Sequence, residues 1–160
     1  RSKRFDLTLN KYSIKDNELA SKIGDTYVSK SPLQTSLFPY TKEVLSYLKS
    51  KYSLSIITNG FDEVQKIKLK ASGLDVFFDT VITSDFVNAK KPNPTIFNYA
   101  LNINNVSAKN SVMIGDDLLV DIIGAKEIGF SQIYFNPKNT PHNQNCDYEI
   151  RCLSEIKNIL

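Results

Sequence analysis

Three carboxylates follow an apolar segment in the last third of the chain. The segment Ser111–Ile114 leads into Gly115, and Asp116, Asp117 and Asp121 come next, at the start of an amphipathic pattern. Adjacent carboxylates at the end of a strand repel each other unless a cation neutralises them. Mg²⁺ takes one or two protein carboxylates and leaves its other positions to water and substrate phosphate. The pattern therefore predicts a magnesium site that also holds an anion, with Gly115 making the turn through a positive φ.

Helix capping is the alternative explanation for these aspartates. Aspartate is a common N-cap residue, so either Asp116 or Asp117 can be accounted for in this way. Capping explains one aspartate more easily than two in succession after a glycine. Because short motifs also arise by chance, both readings stay open, and the metal site is favoured.

A second polar group follows the apolar run LSIIT. Thr58, Asn59 and Gly60 come directly after this run and precede a helical pattern that begins near Phe61. A hydroxyl and free backbone N–H groups before a helix can hold an anion. The same residue types are also those of an ordinary strand-to-helix turn, so this segment predicts a phosphate site only together with its neighbours.

A lysine stands in a third loop. Lys91 precedes Pro92 and a helix that the Asn93-Pro94 pair is expected to start as N-cap and first residue. A point cation at this position can neutralise a phosphate or a buried carboxylate. A solvated lysine in a loop is the alternative.

Helical and strand patterns alternate along most of the chain. Apolar helix faces recur with a spacing of three to four residues, and short apolar runs stand between them. The predicted strands are LSIIT, TVIT, SVMI and QIYF. Thr41 is expected to cap the helix before the first of them, and two later helices are expected to end at Gly73 and Gly129. This alternation predicts an α/β domain with a doubly wound parallel sheet. Ligands in that architecture bind beyond the carboxyl ends of the strands, where all three polar groups lie.

The first 36 residues have a different character. An amphipathic helix is predicted over 13–30, with Ser13 as its cap and Leu19, Ile23 and Tyr27 on one face. A segment rich in serine and proline follows, over 31–39. We therefore divide the chain into a helical piece with a linker, residues 1–36, and an α/β core, residues 37–160.

Composition restricts the class of partner. The 160 residues carry 20 basic and 17 acidic side chains, and the net charge of +3 is spread along the chain without a basic cluster. The sequence thus gives no sign of a nucleic-acid polymer or a membrane as partner, and it has no apolar run of transmembrane length. A small phosphorylated metabolite is the expected partner, and the cytoplasm is the expected compartment.

Together, and in this order, the three groups resemble a known set of motifs. TNGF at Thr58–Phe61, the Lys91-Pro92 pair and GDDLLVDIIGAKEIGF from Gly115 are similar to motifs II, III and IV of the haloacid dehalogenase superfamily. The sequences of these segments most resemble those of the superfamily's pyrimidine 5′-nucleotidases. The resemblance implies a Rossmann-like core with a helical cap of the C1 type, of which residues 1–36 would be a part.

The resemblance also implies roles for the residues of motifs II and III. Thr58 would hydrogen-bond the transferring phosphoryl group, Asn59 would help to shape the phosphate pocket, and Lys91 would neutralise the nucleophile and the phosphate. The implied activity is hydrolysis of a small phosphate ester, such as a nucleoside 5′-monophosphate, through an aspartyl-phosphate. A phosphosugar phosphatase shares much of the same core.

For motif IV, the resemblance implies Mg²⁺ as cofactor. Asp116 would ligate the metal, and Asp117 and Asp121 would support it. A dehalogenase of the same superfamily needs no Mg²⁺, and the intact GDD pattern weighs against that alternative.

One family motif is absent. The superfamily begins with a strand ending in DxD, whose first aspartate attacks phosphorus, and no such motif precedes Thr58; the segments 24–26 and 77–80 imitate parts of the motifs and are rejected. That strand lies between those ending at Thr58 and Gly115. We expect residues before Arg1, or a swapped copy, to supply it, and the 160 residues alone to be inactive and poorly folded. A non-catalytic binding protein is the alternative if the nucleophile is truly missing.

Overall fold

The computed structural model describes residues 3–160, in which helices and parallel strands alternate. No helix in this range combines the length and apolar character needed to cross a membrane. The helices are α1 (Lys3–Lys11), α2 (Asn17–Lys30), α3 (Thr41–Lys49), α4 (Asp62–Ser72), α5 (Ser84–Val87), α6 (Pro94–Ile103) and α7 (Gly124–Ile128). The strands are β1 (Ser55–Thr58), β2 (Thr80–Thr83), β3 (Val112–Gly115), β4 (Ser131–Phe135) and β5 (Tyr148–Ile150). A π-helical turn over Leu118–Ile123 precedes α7, and short 3₁₀ helices lie at Ser31–Leu33, Asp75–Phe77, Ala108–Asn110 and Leu153–Asn158.

All strand pairs are parallel, as the alternation predicts. Strand β1 pairs with β2 from Ser55 opposite Thr80 to Thr58 opposite Thr83. Strands β3, β4 and β5 form a second group in that order, with Gly115 opposite Tyr134. Within residues 3–160, β1 and β3 do not pair with each other, so the sheet is in two parts. The four predicted strands are confirmed, whereas β5 was not predicted from the sequence.

Two apolar clusters form the core. One joins residues of α6 and α7 to β2 and β3, with Phe97, Ile96 and Ile82 almost fully buried. The other joins α3 and the last 3₁₀ helix to β4 and β5, around Ile133 and Ile150. The two groups of helices thus use different apolar clusters on the parallel strands, as expected for an α/β fold.

Two helix starts differ from the sequence prediction. Ser13 has φ +61° and does not cap α2; instead, the Asp16 carboxylate accepts a hydrogen bond from the Leu19 N–H at 2.8 Å. Thr41 does not cap α3, because its hydroxyl donates to the Phe38 carbonyl at 2.7 Å. By contrast, Asn93 caps α6 as predicted, and its side chain accepts from the Thr95 N–H at 2.9 Å.

The first two helices pack against each other. The rings of Phe5 and Tyr27 lie 5.8 Å apart between α1 and α2. Ala20 and Gly24 are the buried residues of α2, while Leu19 and Tyr27, expected on its buried face, are exposed. Other apolar side chains of this region are exposed as well: Leu7, Tyr12, Ile14 and Leu33. The division of the chain at residue 36 stays a prediction.

Candidate active site

The carboxyl ends of β1 and β3 bring together residues from all three predicted groups. Lys91 is the link, because its Nζ donates to the carbonyl oxygen of Ile57 in β1 at 2.7 Å. The same Nζ lies 2.7 Å from Oδ1 of Asp121, in the turn that follows β3. A strand, a loop and a helical turn that are more than 25 residues apart in sequence thereby meet at one edge of the sheet.

The contact of Lys91 with Asp121 is a buried ion pair. The Lys91 side chain is 10% exposed and that of Asp121 is 8% exposed. The sequence left a phosphate, a buried carboxylate or solvent as the surroundings of the Lys91 ammonium, and the described residues provide the buried carboxylate. An ammonium group has three N–H donors; two are used by Ile57 and Asp121, and the third has no partner within residues 3–160.

Asn59 holds the main chain of Lys91 with both ends of its side-chain amide. Its Oδ1 accepts from the Lys91 N–H at 2.7 Å, and its Nδ2 donates to the Lys91 carbonyl at 3.0 Å. Pro92, the next residue, packs against the start of α7: a Cβ added at Gly124 would lie 2.8 Å from Pro92 Cβ. The loop that carries Lys91 is therefore fixed from two sides.

The Thr58 hydroxyl lies at the end of β1. Its oxygen accepts a hydrogen bond from the Gly60 N–H at 3.1 Å, and the residue is half-buried. A hydroxyl that accepts from the backbone keeps its own proton free to donate. Thr58 can therefore donate to an anion bound at this edge.

Asp117 caps the turn that follows β3. Its Oδ1 accepts from the Leu119 N–H at 3.2 Å and from the Val120 N–H at 3.0 Å. The capping explanation thus accounts for this aspartate, and its support of a metal ion stays a prediction. The wide turn arises because the Asp117 carbonyl accepts from Ile122 at 3.3 Å as well as from Asp121 at 2.9 Å. π-Helical turns of this kind are frequent at functional sites.

Gly115 is required for space rather than for a positive φ. The two glycines with positive φ in the described chain are Gly73 and Gly129, so the conformational reason given for Gly115 is wrong. A Cβ at Gly115 would instead lie 2.5 Å from Cβ and Oδ2 of Asp121. The absence of a side chain lets Asp121 fold back over the end of β3, where its Oδ2 accepts from the Asp117 N–H at 3.3 Å.

Asp116 has the properties of a magnesium ligand. It is exposed, follows β3 directly, and makes no hydrogen bond or ion pair with residues 3–160. No group of three or more His, Cys, Asp or Glu side chains in that range is arranged to hold a metal ion by itself. This donor set fits Mg²⁺, which commonly binds one or two carboxylates and completes its shell with water and phosphate.

The sequence pattern of the haloacid dehalogenase-like hydrolase family matches residues 6–135. The chain belongs to this family. A glyceraldehyde 3-phosphate phosphatase of Pyrococcus abyssi is 43% identical over 98 residues, covering 61% of this chain and 41% of the relative. The pyrimidine 5′-nucleotidase YjjG of Escherichia coli is 27% identical over 142 residues, covering 87% of the chain and 63% of the relative. The predicted likeness to the family's nucleotidases is thus confirmed, alongside a likeness to its triose-phosphate phosphatases.

The family's solved structures include one with nearly the same fold. The HAD-hydrolase YfnB of Bacillus subtilis, described as bound to magnesium, superposes with a TM-score of 0.90 at 28% identity. The match covers 99% of this chain and 70% of YfnB. The chain spans about half the length of the curated relatives it matches.

One residue beside the site of this haloacid dehalogenase-like chain was not found from the sequence. Tyr134 lies opposite Gly115 in the ladder of β3 and β4, and it is buried. Burial raises the pKa of Tyr134, and the nearby charges of Glu149, Asp117 and Asp116 raise it further. The strand pattern QIYF concealed it, because an aromatic residue in an apolar run is expected in the core.

Proposed function

We propose that the chain is part of a Mg²⁺-dependent phosphatase that hydrolyses small phosphate esters. The observation that carries the proposal is the Lys91 ammonium, buried beside the end of β1 and paired with Asp121. One of its N–H donors points to no partner in the described residues. The Thr58 hydroxyl and the Asp116 carboxylate stand at the ends of the strands on either side. A cation, a hydroxyl and an exposed carboxylate together suit a phosphoryl group with its metal ion.

In this proposal each side chain stabilises a different part of the reacting group. The free N–H of Lys91 and the hydroxyl of Thr58 donate to phosphoryl oxygens, whose negative charge is held during transfer. Asp121 orients the Lys91 ammonium through the ion pair. Asp116 would hold Mg²⁺, which when bound supplies further neutralisation of phosphoryl charge. Asp117 acts through the turn it caps.

The nucleophile is proposed to come from a strand between β1 and β3. Within the described residues β1 pairs only with β2, and β3 pairs with β4 and not with β1, so one edge of each remains open. Open edges offer rows of unpaired N–H and C=O groups, which natural sheets pair or cover. A parallel strand from outside these 160 residues, or from a swapped copy, would place an aspartate at its carboxyl end near Thr58 and Asp116. That carboxylate attacks phosphorus and displaces the ester oxygen, which leaves as the alcohol after taking up a proton. Water then hydrolyses the aspartyl-phosphate, which releases inorganic phosphate and restores the carboxylate.

The proposed substrate is a small phosphorylated metabolite. The relatives named above act on a triose phosphate and on pyrimidine nucleotides, so they share the phosphate ester and differ in the leaving group. Residues 1–36 are proposed to be part of a helical cap that selects the leaving group, and the exposed apolar side chains of α1 and α2 support a further packing partner there. The cytoplasm is the proposed compartment.

Phosphate release tests the proposal. Protein expressed from the complete coding sequence is assayed with nucleoside 5′-monophosphates and with triose and sugar phosphates, after treatment with a chelator and after addition of Mg²⁺. We expect activity to disappear with the chelator and to return with Mg²⁺, and Asp116→Asn to lower kcat by about 100-fold or more. Asp75→Asn, which removes an exposed carboxylate just before β2, is the matched control.

Three outcomes would contradict the proposal. Unchanged turnover in the chelator would remove the metal from the mechanism. Release of halide from a 2-haloacid under the same conditions would identify a dehalogenase. Tight binding of a phosphorylated metabolite without turnover would identify a binding protein.

A further inference from the structure

We infer that Asn59 is a positioning residue that acts through Lys91, rather than a direct ligand of the phosphate. The inference rests on the proposed function and deepens it, because it identifies the side chain that holds the Lys91 ammonium in its position at the site. Asn59 belongs to the loop after β1, and Lys91 to the loop that precedes α6. The contact between them spans 32 residues of sequence.

The two hydrogen bonds allow one orientation of the Asn59 amide. The Lys91 N–H is a donor and requires an oxygen, while the Lys91 carbonyl is an acceptor and requires an NH₂ group. The observed distances of 2.7 Å and 3.0 Å satisfy both with Oδ1 on the N–H and Nδ2 on the carbonyl. Asparagine presents both groups on a short side chain, and it therefore matches the backbone N–H and C=O of a single residue, Lys91.

The contact of Asn59 with the Lys91 backbone fixes the position of the Lys91 ammonium. The main chain at Lys91 belongs neither to a strand nor to a helix, so no ladder of hydrogen bonds fixes it. The amide of Asn59 holds it from the β1 side, and the packing of Pro92 against Gly124 holds it from the β3 side. A flexible side chain of four methylenes reaches Ile57 and Asp121 at 2.7 Å each only while its own Cα is kept at this position.

The contact with Lys91 uses both polar groups of the Asn59 side chain, so neither is available to bind a phosphate. Both polar atoms of the Asn59 side chain are directed to Lys91, although the residue is exposed and could have turned to solvent. The resemblance to the family implied that Asn59 shapes the phosphate pocket. The geometry points to an indirect way of doing so: removal of Asn59 displaces the cation, and the cation holds the phosphate.

A double-mutant cycle separates the two roles. In protein from the complete coding sequence, Asn59→Ala is expected to lower kcat/KM by about 10- to 100-fold, the usual effect of a misplaced catalytic group. In a Lys91→Met background, the same substitution is expected to change kcat/KM by about twofold or less, because residues that act as one unit are not additive. An equal loss in both backgrounds would show that Asn59 contacts the substrate by itself and would overturn the inference. No loss in the wild-type background would overturn it as well.

Hydrogen exchange gives a readout that does not depend on activity. The Lys91 amide, measured by NMR, is expected to exchange much faster in Asn59→Ala, whereas Asn59→Asp keeps the acceptor and retains its protection. Asn93→Ala is the matched control, because it removes a side-chain bond two residues away, to Thr95, and leaves the Asn59 contact in place. Unchanged exchange at Lys91 in Asn59→Ala would overturn the inference. If the wild-type protein hydrolyses no phosphate ester, the proposed function fails, and the exchange of this amide decides the inference alone.

Discussion

A lysine and an aspartate of opposite charge are buried together at the centre of the candidate site. Lys91 and Asp121 are each about nine-tenths covered, and they lie 2.7 Å apart. Buried pairs of this kind often contribute little net stability, because both ions lose their hydration, but removal of one partner leaves the other uncompensated. From its position in a loop, Lys91 is expected to be replaceable by alanine with loss of activity and without unfolding of the protein. Because Asp121 is buried beside Lys91, replacement of the lysine is also expected to lower the free energy of unfolding.

Substitution of the pair tests this cost. We expect Lys91→Met to lower the free energy of unfolding by about 3 to 5 kcal/mol, and Lys91→Met with Asp121→Asn to recover most of the loss, because no buried charge remains. Both variants should retain only a small, measurable fraction of the phosphatase activity. Urea denaturation followed by circular dichroism measures the difference.

The exposed pair of Lys157 and Glu43 is the control. Their charged atoms lie 2.6 Å apart and both side chains are in contact with solvent, so Lys157→Met should cost at most about 1 kcal/mol. A Lys91→Met variant as stable as Lys157→Met would show that Asp121 finds water or another partner.

At the scale of elements, a second aspartate fixes the opposite end of the first strand pair. The Asp79 carboxylate accepts from the Leu54 N–H at 3.0 Å and from the Ser53 hydroxyl at 2.8 Å, and it pairs with Lys49 of α3. The Asp79 N–H in turn donates to the Leu54 carbonyl at 2.7 Å. Asp79 lies just before β2, at the amino ends of the strands. It therefore sets the register of β1 on β2 and has no place in the chemistry at the carboxyl ends.

Acid should weaken the contacts of Asp79 with Lys49, Ser53 and Leu54, and so lower the stability of the protein. The hydrogen bond from Lys49, followed by those from Ser53 and Leu54, lowers the pKa of Asp79 from 3.8 to about 2. A depressed folded-state pKa gives stability that is present above the unfolded pKa and is lost as the pH falls through the folded one. We expect the urea midpoint to fall between about pH 4 and pH 2, and Asp79→Asn to remove that part of the pH dependence.

Asp75 supplies the comparison for the acid experiment. It is exposed and forms no hydrogen bond or ion pair with the described residues, so Asp75→Asn should leave the pH dependence as it is. Equal slopes for wild type and Asp79→Asn would rule out the proposed contribution of these contacts of Asp79.

At the scale of the whole molecule, the two-part sheet is the main feature. Lys91 links the two parts, since its ammonium contacts Ile57 of β1 and Asp121 in the turn after β3. The strands β1 and β3 themselves do not pair in residues 3–160. Residues of β1 and β3 are mostly half-buried in the described range. A strand in this gap would pair the open edges and bury the apolar side chains beside them, and it would therefore stabilise the domain.

Comparison of two proteins tests this view. The 160-residue chain is expected to unfold at a lower urea concentration than the protein from the complete coding sequence, with a broader transition, and to release no phosphate. A strand supplied by a swapped copy would instead make the stability and the activity of the 160-residue chain depend on its concentration. A monomeric 160-residue chain with a sharp transition, full activity and no added strand would contradict the expectation.

The sequence by itself determined most of the elements and the edge of the sheet at which the chemistry lies. Periodicity predicts the strand over Thr80–Thr83 and the helix that ends before Gly73, and Asn93 caps its helix as its residue type indicates. These signals are local, because a strand, a cap or a glycine stop depends on residues within a few positions. The order of the three motifs then gives the family and the identity of Lys91 and Thr58 as candidates.

Only the tertiary structure decided how these residues are used. That Asn59 holds Lys91, that Asp121 pairs with it, and that Gly115 is needed for the room Asp121 takes are contacts between separate loops. No pattern within a short window specifies them, since they depend on the packing of helices against the sheet. The same reason explains Asp117: its residue type fits a metal ligand and a helix cap equally, and the fold placed two backbone N–H groups at its carboxylate.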